Sequence, residues 1–283
     1  MTSEAIAFIC TAPAQAAPPV IIAGAGYSFD WGLIQPEVAK FTQVCTYDHS
    51  GIAWSDPGPA DSCALRVREI HMALQNVGIK GPYVLVGHSL GALVVRIYTA
   101  QYPNEIAGVV FAEHAFFARL PPPHRLTAPP SPSPSPKSDK PAPVVMGMES
   151  DLNFKKLPMQ DQQLHAWAAA QGKDQAAVQA NMHMLPQCAD EADAAAKQHP
   201  YPLGDKPLVD ISTENEIPGY AELQSELLAL SRESQQIVAT NSGHFIIIDR
   251  PDIVVEGIRQ VVDVARTKGK LSGSTQGFDH GLQ

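Results

Sequence analysis

The chain has 283 residues and a formal net charge of −9. This length fits one α/β catalytic domain that carries an insertion. The acidic balance leaves no basic stripe to neutralise phosphates, so nucleic acid is excluded as an expected partner. The first residues lack a basic signal region and no later run is long enough to span a membrane, so we expect a soluble protein, either cytoplasmic or exported with its signal removed.

Short apolar runs alternate with helical patterns over residues 1–114, as in βαβ units with a largely parallel sheet. Strands rich in Val, Ile and aromatic residues are predicted at 18–24, 41–48, 82–87 and 106–113. Helices are predicted at 61–78, which ends in glycine, and at 91–103. We assign residues 1–114 to the first part of an α/β core.

The composition changes after this first part. Segment 120–143 is dominated by Pro and Ser and cannot form a regular core element, so we expect it to be exposed and mobile. Ala- and Gln-rich helical patterns at 159–198 predict a small helical cap, and we assign 115–205 to linker and cap. Cap movement that governs substrate access is a hypothesis, and the candidate pocket-lining side chains are Leu164, Trp167, Met182 and Met184.

The sheet pattern resumes in residues 206–269, the second part of the core. Strands are predicted at 207–213 and 235–240, with a helix at 221–231 between them and an amphipathic helix at 252–269 after them. Residues 270–283 are expected to be a disordered tail. The predicted fold class is α/β, with a mostly parallel central sheet flanked by helices and a helical cap insertion.

Four cysteines stand at positions 10, 45, 63 and 188, without a CxxC pair or zinc-ligand spacing. We therefore expect no metal site. Buried free thiols are the preferred interpretation. A disulfide stays open as the alternative, because spacing alone does not give a pairing.

The strongest chemical signal is GHSLG at 87–91, a G-x-S-x-G motif between a predicted strand and a predicted helix. This context is typical of a nucleophile elbow, in which a sharp turn holds the serine hydroxyl out over the sheet edge. Ser89 is therefore the candidate nucleophile. Leu90, the next residue, is expected to donate one backbone N–H to the oxyanion.

The serine needs a base within hydrogen-bond reach, and that base needs a third group to orient it. His244 follows the last predicted strand in SGHFIIIDRP and is the only one of ten histidines in the expected order. Two carboxylates between Ser89 and His244 end a strand: Glu113 after VVFA, and Glu216 in TENE.

The early loop AGAGYS at 23–28 offers a second oxyanion donor, for which the Ala25 N–H is the candidate. Its Gly-x-Gly also suggests a dinucleotide loop. That interpretation is rejected because Phe29 stands where the third glycine should be and no helix signal follows at once.

With these motifs the chain resembles the α/β-hydrolase superfamily, in particular a bacterial "alpha/beta hydrolase" group with esterase-like members. The resemblance includes AGAGYSFDW, YDHSGIAWSDPGP, GPYVLVGHSLGALVVR and SGHFIIIDRP. The group usually carries aspartate where Glu113 stands, so glutamate is a departure. TENE resembles a GExD turn with Glu216 in the acid's place. Glu113 is the preferred acid, and Glu216 is the alternative.

The resemblance and the residues together predict a carboxylesterase-like serine hydrolase that cleaves an ester of a small to medium, fairly apolar molecule through an acyl-enzyme on Ser89. No cofactor is expected. The alternatives are a ligand-binding protein of the same fold with little or no catalysis, and a haloperoxidase-like or C–C bond hydrolase with the same triad. The sequence leaves the oligomeric state open.

Overall fold

A computed structural model describes residues 5–11, 17–24, 26–58, 62–114, 147–198, 202–214 and 219–271. The Pro/Ser-rich segment, residues 272–283 of the predicted tail, Ala25 and Glu216 lie outside the described residues, as does the side chain of Met182.

Within the described residues, seven strands form one sheet in the order β1-β3-β2-β4-β5-β6-β7. The pair β1 and β3 is antiparallel, and the other neighbouring pairs are parallel. The strands are β1 Ala7–Thr11, β2 Val20–Ala23, β3 Val44–Asp48, β4 Tyr83–Ser89, β5 Ile106–His114, β6 Leu208–Thr213 and β7 Ser234–Ala239.

Helices cover both faces of this sheet. The α-helices of the described residues are α1 Gln35–Val38, α2 Cys63–Asn76, α3 Leu90–Gln101, α4 Met159–Ala169, α5 Gly172–Gln198, α6 Tyr220–Leu228, α7 Ile246–Asp249 and α8 Pro251–Thr267. A 3₁₀ helix at Ser28–Trp31 follows β2. None of the helices in the described ranges has both the length and the apolar character that a membrane crossing requires.

The predicted fold class is confirmed, and each predicted strand is present with ends shifted by a few residues. β1 is the strand that the sequence pattern did not predict. AFICT has a partly buried edge position, and its pairing with β3 is a long-range contact that local pattern does not report. The cap pattern resolves into two helices, and α5 continues through Pro186.

The strands alternate their side chains between two apolar layers. One layer, with Ile21, Leu85 and Phe111, packs under α2, α3, α5 and α6. The other, with Val86, Val110 and Val209, packs under α8 and the short helices near it. Because the parallel strands are buried on both faces, they are continuous hydrophobic runs. Their carboxyl ends meet at one edge of the sheet.

The expectation of free thiols is wrong. Cys10 is bonded to Cys45, which joins the neighbouring strands β1 and β3, and Cys63 is bonded to Cys188, which joins α2 to α5. The partners come together only in the folded topology, 35 and 125 residues apart in sequence. That is why spacing did not reveal them.

The second disulfide is one of several links between α5 and the rest of the fold. At its start, Asp174 Oδ1 accepts the Ala53 N–H at 2.7 Å. Near its end, Glu191 Oε2 accepts the Ala64 N–H at 2.9 Å, and Asp193 pairs with Arg96 at 3.1 Å. The helix is therefore fastened along its length.

Candidate active site

Ser89 lies on a sharp bend where β4 ends and α3 begins. Its backbone has φ 55° and ψ −123°, a conformation that an L residue rarely adopts and that is costly unless the surroundings impose it. The residue is buried, and β4 is a central strand, paired with β2 on one side and β5 on the other. The fold thus holds this hydroxyl at the carboxyl edge of the sheet, as the motif predicted.

The two glycines of the motif make room for neighbouring backbone. A Cβ on Gly91 would lie 1.8 Å from the carbonyl oxygen of Ala23, at the end of β2. A Cβ on Gly87 would lie 2.6 Å from Ala92 Cα. Since both obstacles are backbone atoms, neither position accepts a side chain without a shift of the elbow.

His244 lies beside the serine. Its Nε2 is 2.9 Å from Ser89 Oγ, within hydrogen-bond reach, although the two residues are 155 positions apart. The loop that carries His244 is held by Asp249, whose Oδ2 accepts the Gly243 N–H at 2.7 Å. Asp249 Oδ1 in turn accepts the Asn153 side-chain N–H at 2.6 Å. The structure therefore brings the predicted nucleophile and base together.

The histidine ring is neutral in this environment. Burial, and to a smaller extent the nearby His88, lower the pKa of His244 to about 3. His88 is itself buried, which lowers its pKa, and its Nε2–H donates to the His244 carbonyl oxygen at 2.8 Å. A neutral imidazole at this position can accept the serine proton.

Glu113 lies near the end of β5, but its carboxyl group is hydrogen-bonded to residues other than His244. Its Oε2 accepts the Thr213 N–H at 3.0 Å and the Tyr220 hydroxyl at 3.1 Å. Between these two described residues, Glu113 and His244, there is no hydrogen bond. Burial raises the pKa of Glu113 to about 7, against the lowering effect of the bonds from Thr213 and Tyr220. The carboxyl group thus links the end of β6 to the start of α6.

The loop after β2 lies next to the elbow. It is held by Asp48, at the end of β3, whose carboxylate accepts the Ser28 N–H at 2.8 Å and the Ser28 hydroxyl at 3.2 Å. Burial raises the pKa of Asp48 to about 6. Leu90, one predicted oxyanion donor, is the first residue of α3. Ala25, the other, belongs to this loop but lies outside the described residues.

Aromatic side chains cluster between this loop and α4. Tyr27 stacks on Phe29, with 4.7 Å between ring centroids, and Trp54 meets Phe29 edge-on. Trp54 and Trp167 stack at 5.7 Å and are 45% and 40% exposed. Leu164 packs against the same cluster, whereas Met184 lies in the layer under α2 and α3. Of the predicted lining residues, two are therefore near the loop and one is in the core.

Three residues that support the site were not assigned a role from sequence. They are His88, Asp249 and Asp48. His88 and Asp249 flank the predicted nucleophile and base within the motifs, so proximity in sequence was an available signal. Asp48 ends a predicted strand, and its partner Ser28 was visible only in the folded chain.

A mostly parallel sheet whose central strand ends in a serine on a strained bend, with a histidine beside it, defines the α/β-hydrolase class of proteins. A sequence profile described as "alpha/beta hydrolase fold" matches residues 20–251. The chain belongs to the α/β-hydrolase fold family, which confirms the resemblance found in the sequence.

Related proteins differ in how much of this chain they match and at what sequence identity. Protein C23C11.06c of Schizosaccharomyces pombe is 33% identical over 89 residues, which are 31% of this chain and 16% of that protein, so this chain spans about a sixth of its length. Protein YqjL of Bacillus subtilis is 24% identical over 249 residues, covering 83% of this chain and 79% of YqjL. The structure of the epoxide hydrolase CorEH has a TM-score of 0.63 at 12% identity, with 93% of this chain and 96% of CorEH covered. At that identity the likeness concerns the fold.

Proposed function

We propose that this protein is a serine hydrolase that cleaves an ester bond through an acyl-enzyme on Ser89. The observation that carries the proposal is the 2.9 Å separation of Ser89 Oγ and His244 Nε2, on a backbone bend that holds the serine at the carboxyl edge of the sheet. A serine hydroxyl is a weak nucleophile until a base within hydrogen-bond reach removes its proton. The neutral, buried His244 meets that need.

The reaction proceeds in two halves. Ser89 Oγ attacks the ester carbon while His244 Nε2 takes the hydroxyl proton, and the resulting oxyanion is met by the backbone N–H groups of Leu90 and Ala25. The proton then passes from His244 to the leaving alcohol, which leaves an acyl group on Ser89. Water, deprotonated by His244, attacks that acyl carbon and releases the acid, while Ser89 recovers its proton.

The acid that orients His244 is assigned to Glu216 in preference to Glu113. The Glu113 carboxyl group already binds Thr213 and Tyr220, and its raised pKa leaves it partly protonated near neutral pH. A protonated carboxyl stabilises an imidazolium poorly. The sequence favoured Glu113, so the two assignments are compared directly: Glu216→Gln should lower kcat by about 10²–10⁴-fold, and Glu113→Gln should lower it much less.

The substrate is expected to be a small to medium, fairly apolar ester, without a cofactor. The aromatic cluster of Tyr27, Phe29 and Trp54, with Trp167 and Leu164 of α4, supports an apolar acyl or alcohol part. A series of p-nitrophenyl esters of increasing chain length measures this preference. Activity that falls steadily as the acyl chain lengthens from two to eight carbons would contradict it.

A fluorophosphonate probe tests the central claim. The wild-type protein should be labelled on Ser89, and Ser89→Ala should abolish both labelling and ester turnover. Ser225→Ala, which removes an exposed hydroxyl on α6, is the matched control and should behave as wild type. Undiminished turnover by a folded Ser89→Ala protein would end the proposal.

A further inference from the structure

A buried histidine outside the candidate triad lies between two carboxylates. His165 of α4 is 2% exposed. Its Nε2 lies 2.8 Å from Asp30 Oδ1, and its Nδ1 lies 2.8 Å from Glu149 Oε1. The three residues come from α4, from the 3₁₀ helix after β2 and from the segment that precedes α4. His165 is therefore the point where these three parts meet.

The contacts indicate that the ring is an imidazolium. Nδ1 is hydrogen-bonded to the Glu149 carboxylate, and the Asp30 carboxylate lies within ion-pair distance of Nε2, so two negative groups flank the ring. Burial alone would lower the pKa of His165, but Asp30 and Glu149 outweigh it and raise the pKa to about 9. Asp161, on the same helix, adds a third nearby carboxyl group, whose own pKa burial raises.

Aromatic rings surround the same imidazole. Tyr27, Phe29 and Phe154 each meet its ring edge-on, with centroids 5.4, 5.0 and 4.9 Å away. The imidazole and the Asp30 carboxylate are thereby buried, with side chains 2% and 9% exposed, whereas the Glu149 side chain is 30% exposed. In such surroundings, a neutral imidazole would leave Asp30 and Glu149 without the positive charge that lies between them.

The Asp30 carboxylate, which pairs with His165, also contacts the backbone of the loop after β2. Its Oδ2 accepts the Tyr27 N–H at 2.9 Å. A Cβ on Gly26 would lie 2.2 Å from the same oxygen, so the carboxylate is pressed against the loop backbone. This is the loop to which the proposed oxyanion donor Ala25 belongs. A continuous series of contacts therefore leads from α4, through His165 and Asp30, to that loop.

We propose that His165 is a positioning residue, which fixes the loop after β2 against α4 in the arrangement that stabilises the oxyanion. This inference rests on the proposed serine-hydrolase function. The residue does not touch the reacting atoms. Its positive charge holds the Asp30 carboxylate in place, and that carboxylate holds the loop backbone.

Two substitutions separate charge from packing. His165→Gln keeps a hydrogen-bond donor but loses the positive charge. His165→Phe keeps an aromatic ring but loses both the donor and the charge. Both should lower kcat for a p-nitrophenyl ester by about 100-fold, because a displacement of about 1 Å in a catalytic arrangement can have that effect. KM should change by less than about threefold, since the lost interaction acts in the transition state. His183→Gln, at an exposed position on α5, is the control.

The pH profile gives a readout that a purely structural role would not move. Because the folded pKa of His165 is raised, the imidazolium persists through neutral pH and is lost as the pH rises through about 9. Wild-type kcat should fall along an alkaline limb near pH 9, and that limb should be absent from the residual activity of His165→Gln. The Ser89→Ala protein supplies the blank for spontaneous ester hydrolysis.

The outcomes are distinguishable. If Ser89→Ala loses fluorophosphonate labelling but both His165 variants keep wild-type kcat, the positioning role is overturned and the hydrolase proposal stands. If Ser89→Ala keeps its turnover, the hydrolase proposal fails first. If the variants do not fold, as judged by circular dichroism, the wild-type profile decides: a kcat that stays flat from pH 7.5 to 10 overturns the inference.

Discussion

At the scale of single residues, the protonation of His244 determines the acid side of activity. Burial and the nearby His88 lower the pKa of His244 to about 3, so the neutral form that accepts the serine proton persists well below the usual pH of 6.5. We expect the acidic limb of kcat/KM to lie below about pH 5. A pH series with a p-nitrophenyl ester in buffers of constant ionic strength measures it.

The His88→Gln variant tests the contribution of His88 to the lowered pKa of His244. Glutamine can still donate to the His244 carbonyl, but it cannot carry a positive charge. The acidic limb should therefore move to higher pH. A wild-type limb near pH 6.5 would contradict the environment described for His244.

Asp210 is a second residue whose protonation has a measurable effect, here on the stability of the fold. It lies within β6, fully buried, and neither carboxyl oxygen has a hydrogen-bond partner among the described residues. Burial, and then the charge of Glu113, raise its pKa well above the usual value. The folded state therefore keeps a proton that the unfolded chain releases above about pH 4, so stability is lost as the pH rises above that value.

Asp210→Asn removes this dependence. We expect it to be more stable than wild type at pH 7, by about 1–3 kcal/mol, and to have little advantage at pH 4. Thermal unfolding at the two pH values measures the difference, at roughly 2–4 °C per kcal/mol. A variant that is less stable than wild type at pH 7 would show that the carboxylate is needed there.

At the scale of elements, the Cys63–Cys188 bond fastens α5 to α2 across 125 residues, whereas Cys10–Cys45 closes 35 residues between β1 and β3. Removing the long crosslink as Cys63→Ala/Cys188→Ala should lower the free energy of unfolding by about 2–5 kcal/mol. The chain-entropy contribution of the shorter crosslink is smaller by about 1 kcal/mol.

Urea denaturation of Cys63→Ala/Cys188→Ala and of Cys10→Ala/Cys45→Ala tests this order. Mass spectrometry of the intact proteins confirms which bond each retains. An equal midpoint for wild type and Cys63→Ala/Cys188→Ala would contradict a stabilising role for the long crosslink.

Local sequence was enough to predict the elbow and six of the seven strands of the described fold. Alternation of apolar runs and helical patterns is a local property, and G-x-S-x-G between a strand and a helix specifies its own geometry. The partners of individual side chains were not predictable in this way. Tyr220 reaches Glu113 from 107 residues away, and Asp30 reaches His165 from another element. Such contacts form only when the strands and helices are assembled in the tertiary fold.

At the scale of the whole molecule, the two helices of the insertion are attached to the core in different ways. α5 is joined to the core by a disulfide, an Arg96–Asp193 pair and backbone contacts at both ends. α4 packs through His165 and the Trp54–Trp167 stack. Opening that admits substrate is therefore expected at α4, with the His165 contacts re-formed when this helix closes for catalysis. The sequence hypothesis of a mobile cap narrows to that helix.

Hydrogen exchange followed by mass spectrometry distinguishes the two helices. Amides of α5 should exchange nearly as slowly as those of the central strands, and amides of α4 should exchange faster. In Cys63→Ala/Cys188→Ala the protection of α5 should fall, while that of α8 stays unchanged. Equal, rapid exchange of α4 and α5 in the wild type would support a cap that opens as a whole.

The paired cysteines also decide how the protein has to be produced. Glutathione and thioredoxin keep thiols reduced in an ordinary cytosol, so a preparation from that source would carry four thiols and an α5 held by non-covalent contacts alone. A preparation folded in an oxidising compartment would carry both bonds. Measurements made on the two samples would describe two different molecules, and thiol titration of each batch tells them apart.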